Sequence, residues 1–377
     1  MSRTGVANLP LHGGKAPAWL TSRMCKLAKE IASIIIDEHG TNVFMKRISD
    51  PYWFQALGCV LGYDWHSSGV TTVLTGVLKQ ALSLDEHGVV VCGGKGRTSK
   101  KTPMEIADAG VKFGFSEDTI QALTYTSKMT AKVDSAAIQA GYQLYHHAFI
   151  VTEDEQWAVI QQGMNGEDRT ARRYHWLSDN VADLIVEPHS AIVGNARRQR
   201  VLDMTAKASE GARKASVDIA KEHPSKVMRL FEAARPLHQR SLQDWLPEAK
   251  TDRWHQSFEL LSMPRSINWE TLGRIYEFQP RNYEELLSIK GVGPSTVRGL
   301  ALVAELIYGE KPSWEDPVKF SFAYGGKDGV PFPVNRRATD ESIQVLRQAV
   351  EAAKIGDREK MQSLQRLRRF VPENANS

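Results

Sequence analysis

The chain has 377 residues, 42% hydrophobic and 24% charged, which is enough apolar content for two or three packed domains and too much for a disordered chain. A net charge of +4 does not mark the whole chain as a polyanion binder. No run approaches the roughly 18 apolar residues of a membrane span, so no membrane partner is expected; the opening MSRTGVANLPLHGGKAP lacks the apolar core of a signal peptide, and a cytoplasmic location is expected.

In chain order, Leu20, Met24, Leu27, Ile31 and Ile35 recur at threes and fours, which predicts an amphipathic helix over 18–38 ended by Gly40. The stretch 50–82 reads as two short helices joined at DWHSSG, with Ser67 and Ser68 as caps. Asp64, His66 and Ser67 are too nearly contiguous to form a hydrolase triad. Residues 88–103 predict a short buried strand, a glycine-rich turn carrying Lys95, Arg97, Lys100 and Lys101, and a helix opened by Pro103 and Glu105. That turn lacks the phosphate-loop pattern and reads as a backbone contact for DNA through Lys95.

Between Tyr142 and Met164 the runs HAFIV and WAVIQQ flank the polar turn TEDEQ and predict a β-hairpin. Cys25, Cys59 and Cys92 are far apart and read as buried small hydrophobes. From Asn195 onward the pattern is largely helical and is punctuated by Pro224, Pro236, Pro247 and Pro264. From Arg197 to Arg240 eleven Lys/Arg stand against five Asp/Glu, a basic stripe of the kind that meets phosphates. The expected architecture is mainly α with a small β element (α+β), divided as 1–195 and 196–377, with PENANS as a loose tail.

In NYEELLSIKGVGPSTVRGLALVAELIYG, Gly291 and Gly293 stand between two apolar helical patterns, with Pro294 at the first position of the second. Both glycines are expected to permit positive φ and to leave amides open at a helix N-terminus, where an anion is favoured. This segment resembles the helix-hairpin-helix motif of DNA repair and recombination proteins, over about 284–308. The resemblance implies sequence-independent contact with the DNA backbone through Gly291, Gly293 and Ser295, helped by Lys290, Thr296 and Arg298.

Base-excision glycosylases that carry this motif have a catalytic Asp after its second helix, and Asp316 stands in a similar place. The pattern departs from theirs at Ser295 and Thr296, where lyase-type members carry Lys, and in the segment after Pro317. Several further stretches, including DPYWFQALGCVLGYDWHSSGVTT, YQLYHHAFIV and ARRYHWLS, are together similar to an uncharacterised archaeal and bacterial family.

The middle of the chain concentrates polar groups. A metal-dependent nuclease needs converging carboxylates on Mg²⁺ or Mn²⁺ with a side chain to handle water. Glu153 and Asp154 are the candidate metal ligands and catalytic acids, with His146 and Gln162 as catalytic partners; Asp134, Glu187 and His147 extend the set. No strict nuclease spacing is present, and Glu153, Asp154 and Glu155 read most simply as a solvated hairpin tip. Arg172 and Arg173 offer guanidinium forks to phosphate beside aromatic rings. The function expected is DNA binding in repair or recombination, with or without nuclease activity. A non-catalytic DNA-binding adaptor is the alternative, and a base glycosylase centred on Asp316 the third reading.

Overall fold

Apolar residues on both parities of the central strands bury both faces of one antiparallel sheet. The structure, a computed structural model, describes residues 18–62, 69–167, 169–194, 197–239, 263–264, 267–318 and 336–370. Helix α1 (Ala18–Ser49) is two helical stretches joined at Gly40, whose φ 84° and ψ 163° are not helical, so the first stretch ends there as expected; the second follows at once and carries Phe44, Met45 and Ile48 into the core. Asp50 caps α2 (Pro51–Val60) by accepting from the Trp53 N–H at 2.7 Å, with Pro51 at the first position. Helix α3 (Gly69–Ala81) follows, and the expected joint with Ser67 and Ser68 lies outside the described residues. A single turn, α4 (Leu84–His87), leads into strand β1 (Val89–Lys95), and helices α5 (Thr102–Phe113) and α6 (Glu117–Lys132) come next. One wider helical turn, Val133–Ala137, ends α6.

The expected hairpin is formed by β3 (Gln143–Thr152) and β4 (Trp157–Asn165), after the short β2 (Ile138–Gln139). It is the centre of a larger sheet than the sequence suggested. ARRYHWL is itself strand β5 (Thr170–Leu177), β6 (Ala191–Gly194) follows it, and the order is β1-β3-β4-β5-β6, antiparallel throughout. The helical expectation immediately after Asn195 is corrected as well. Leu202–Asp203 forms β7, paired with β2, and the helix starts only at Glu210, because Asp203 turns inward to accept from the Thr205 N–H and hydroxyl. Helices α7 (Glu210–Ala220), α8 (Pro224–Gln239), α9 (Trp269–Phe278), α10 (Tyr283–Ser288) and α11 (Pro294–Tyr308) follow, then α12 (Arg336–Ala352) and α13 (Asp357–Phe370).

Two helical layers cover the sheet. On one face Ala148, Ile150, Ala158, Ile160 and Leu177 pack under α1, α2 and α3, and α12 and α13 return from the far end of the chain to the same layer. On the other, Phe149, Val159, Tyr174 and Trp176 pack under α5 and α6, in one core with α7, α8, α10 and α11. The polar doublets His146-His147, Gln161-Gln162 and Arg172-Arg173 each send one side chain to each face, as strand alternation requires.

Toward α3, Lys95, His146, Gln162 and Arg173 form one cross-strand row. His146 Nε2 meets Thr75 Oγ1 at 3.0 Å, Gln162 Oε1 accepts from the Thr71 hydroxyl, and Arg173 Nη1 donates to Gln55 Oε1 at 3.1 Å. Toward α6, His147 Nε2 meets Ser127 Oγ at 2.8 Å and His147 Nδ1 meets Gln161 Oε1 at 2.8 Å. Gln161 Nε2 then donates to Asp134 Oδ2 at 2.6 Å, and the same carboxylate receives Trp176 Nε1 at 3.1 Å and His189 Nε2 at 2.5 Å.

Burial pushes His146 down to about 3 and His147 down to about 4, so both are neutral near pH 7. An unfolded histidine gains its proton near pH 6.5, and below that pH the unfolded state binds more protons than the folded one. The stability held by neutral His147 is therefore complete above about pH 6.5 and is lost as pH falls toward 4. His147→Gln keeps an uncharged amide between Ser127 and Gln161, and it is expected to remove about 1.4 kcal/mol per pH unit from the acid-side slope of stability. Urea titrations between pH 7 and pH 5, a window set around the histidine reference value, measure that slope; identical slopes in variant and parent would show that His147 is not held neutral.

Candidate nucleic-acid interface

Helix α10 begins at Asn282, whose side chain accepts from the Glu285 N–H at 2.8 Å, and its apolar side sends Leu286 and Leu287 into the core. A turn over 289–293 then leads into α11, with Pro294 as the first helical residue. Val292, 1% exposed, anchors the turn from within. The two glycines beside it serve different ends. Gly291 has φ +100°, and a Cβ there would lie 2.4 Å from Thr271 Oγ1, so no other residue fits. Gly293 was expected to need positive φ and does not: its φ of −141° suits any residue, and a Cβ would enter open space. What glycine leaves at 293 is bare backbone at the surface.

The turn's carbonyls are taken from inside. Lys132 Nζ, at the end of α6, donates to the carbonyls of Leu287 at 2.8 Å, Ile289 at 2.9 Å and Val292 at 2.6 Å. Arg274 Nη1, from α9, donates to the Lys290 carbonyl at 2.6 Å. Gln139 Nε2 donates to that of Pro294 at 2.9 Å, and the Val297 N–H closes on the Gly293 carbonyl at 3.0 Å. Burial pushes Lys132 down to about 8, which leaves its ammonium charged near pH 7. By contrast, among the described residues no carbonyl accepts from the amides of Gly291 or Gly293. The amides of Ser295 and Thr296 lie in the first turn of α11, where no intrahelical acceptor exists. The turn thus leaves N–H groups without an acceptor among the described residues while most of its C=O groups are taken, a polarity suited to an anion.

The anticipated side chains divide by exposure. Lys290, Gly291 and Ser295 are exposed at the turn and Arg298 is half-buried beside it, whereas the Thr296 side chain is buried. Lys95 is exposed at the end of β1, 6.0 Å from the centre of the Tyr145 ring, with Arg97, Lys100 and Lys101 exposed after it. The amide of Gly93, within β1, is already given to Glu105 Oε2 at 2.7 Å. Arg172 and Arg173 point inward. Arg172 pairs with Asp316 at 2.7 Å, both side chains fully buried, and lies over the Tyr142 ring; Arg173 Nε donates to His175 Nε2 at 2.7 Å. Neither guanidinium reaches an external phosphate in this arrangement.

Asp316 also accepts from the amides of Arg198 at 2.7 Å and Val318 at 3.1 Å, so its carboxylate is enclosed on every bonded side. His146 lies opposite Gln162, as the hairpin reading required, but Glu153 and Asp154 are exposed at the tip. The pair and the tip are seven residues apart along β3, about 23 Å. The structure therefore does not bring the two acids to His146 and Gln162. Among the described residues no three His, Cys, Asp or Glu stand close enough to hold a metal ion.

The residues that sequence reasoning missed are Lys132, Gln139 and Arg274, which complete the turn from outside it. Lys128 and Lys132, four apart, lie on one face of α6 and were the one available signal. They line a cavity of about 600 Å³ between α6, the start of β3 and the turn, with Gln139, Gln143, Gly293 and Arg298 among its walls.

A family model described as a protein of unknown function, DUF763, matches residues 5–334. No curated protein and no solved structure matches the chain.

Two substitutions test this arrangement. Lys132→Met keeps the stem and removes three bonds from a charged donor, at an expected cost of about 2–3 kcal/mol. Hydrogen exchange at Val292 should quicken with it; unchanged stability and exchange would show that the ammonium does not hold the turn. Asp316→Asn leaves Arg172 buried without its counter-charge and is expected to cost about 3–5 kcal/mol in chemical denaturation. A neutral result there would mean that the carboxylate is not needed for folding.

Proposed function

The chain belongs to the DUF763 family of proteins of unknown function, and from the geometry of its glycine turn we propose that it binds the phosphate backbone of DNA, in a repair or recombination setting. The observation that carries this reading is the split polarity of the turn: Lys132, Arg274 and Gln139 occupy the carbonyls of Leu287, Ile289, Lys290, Val292 and Pro294, while among the described residues no carbonyl accepts from the amides of Gly291 and Gly293. A phosphate seated there would accept from those amides and from the first turn of α11, with Lys290 and Ser295 exposed beside it. Such contacts carry no sequence information. The setting is that of the proteins whose turn this one resembles.

The binding reading does not draw on the polar groups of the sheet. His147, Gln161, Asp134, Trp176 and His189 are bonded to one another in the interior, and Arg172 is held by Asp316. This favours a DNA-binding adaptor over an enzyme as the first reading. Cutting dependent on Mg²⁺ or Mn²⁺ is tested by adding each ion to the bound complex.

Gly293→Val is the informative variant, because φ −141° and the open space at Cβ let valine fold there while its side chain blocks the amides. Fluorescence anisotropy on duplexes of unrelated sequence should give similar affinities that fall with salt at a log–log slope of about −0.9 per phosphate held. Gly293→Val should weaken binding at least about tenfold and flatten that slope by about one or two, with its denaturation midpoint unchanged. If the variant binds as the parent does, or if the parent selects one sequence, the turn is not the contact.

A further inference from the structure

We propose that the cavity beside the turn receives an unpaired, phosphate-bearing nucleotide, so that the DNA selected is one that presents a nucleotide out of the stack. This rests on the DNA-binding reading and narrows it to a substrate class. Three cations, Lys128, Lys132 and Arg298, line the cavity, and no carboxylate does. Arg298 is half-buried and poorly compensated: among the described residues its hydrogen bond is Nη1 to Gln139 Oε1 at 3.4 Å, and its buried Nε has no partner. A buried donor left without an acceptor is costly, and an anion entering the cavity would supply one.

Size then separates a bare anion from an anion that carries a body. The volume is about 600 Å³, within the span of roughly 300–1,000 Å³ typical of sites for small organic ligands. Inorganic phosphate would leave most of that space to water. Ile138, Leu144 and Val292 supply apolar wall for a flat ring, and the side-chain amide of the exposed Gln143 offers both a donor and an acceptor to a base edge, whereas that of Gln139 already donates to the Ala136 and Pro294 carbonyls. Gly293, whose amide has no carbonyl acceptor among the described residues, and Pro294 are themselves in the cavity wall. A phosphate on the turn and its own base in the cavity therefore occupy one continuous site. A base that is paired and stacked cannot enter, so a bulge, a gap or a strand end is favoured over intact duplex.

Another cavity, of about 490 Å³, does not have this character. Glu210 and Asp218 are in its wall, Lys214 pairs with Glu210 at 2.6 Å, and Arg281 pairs with Glu285 at 2.6 Å.

The test uses the full chain and three duplexes of one sequence: blunt, with a single unpaired 2-aminopurine nucleotide, and with an abasic residue at the same place. The base-bearing bulge should bind at least about tenfold tighter than the other two, and its fluorescence should change on binding. Gln143→Trp, at an exposed position, and Ala131→Trp, from the opposite wall, should both lose that preference while retaining blunt-duplex affinity, with melting curves to confirm folding. Equal affinity for the three duplexes, or a preference kept by both folded tryptophan variants, overturns the proposal. Free deoxyadenosine monophosphate separates the sources of the ligand. Competition by it in the parent but not in the variants supports the cavity as a nucleotide site open to free nucleotides as well. Binding of the mononucleotide without binding of any duplex would uphold the cavity and remove the DNA reading.

Discussion

Both faces of the five-stranded sheet are covered by helices, so a polar side chain on its strands must find a partner inside the protein or forfeit about 1–3 kcal/mol. His146, Gln162 and Arg173 meet α2 and α3; His147 and Gln161 meet α6 and the wide turn after it. These bonds are directional, whereas the apolar contacts around them would tolerate some sliding. The polar end of the sheet thereby fixes where α6 lies. Because Lys132 terminates that helix, the same constraint decides where an ammonium stands relative to the glycine turn.

The mainly helical α+β class and the central hairpin with its His146–Gln162 pairing were legible in the sequence, because strand alternation and helical periodicity are local signals. The glycine turn was legible for the same reason, since its two helices, its proline and its buried Val292 lie within about one motif length. Its completion was not. The carbonyls of Leu287, Ile289, Val292 and Pro294 are met by side chains of Lys132 and Gln139, more than 150 residues earlier in the chain, and that of Lys290 by Arg274 on the neighbouring helix. No periodicity announces such a meeting.

The polar doublets were misleading for a physical reason that the sequence did contain. HAFIV is apolar at every position between His147 and Thr152, and a strand apolar on both parities is covered on both faces. Adjacent polar residues on such a strand point into two interiors, not into one open cleft. Arg172 and Arg173 follow the same rule, one toward Asp316 and the other toward Gln55 and His175. Asp316 then closes the segment after α11 onto the sheet, which gives a buried carboxylate near the turn a structural task that spacing alone could not reveal.

The turn's electrostatics follow from this division of labour. A peptide group is a dipole, and a turn with both ends free offers a passing anion attraction and repulsion in nearly equal measure. Occupying the carbonyl ends with the Lys132 ammonium and the Arg274 guanidinium removes the repulsive half and adds two positive charges behind the amides. On the proposed reading, a chain whose net charge is only +4 needs no conspicuous basic run in the turn itself to attract an anion there. The partly buried position of Lys132 limits its screening by salt, whereas the exposed Lys290 and Lys128 act through water. If the turn takes a phosphate as proposed, the cations behind it are the better placed to fix its seat, and the exposed ones to raise the rate at which it arrives.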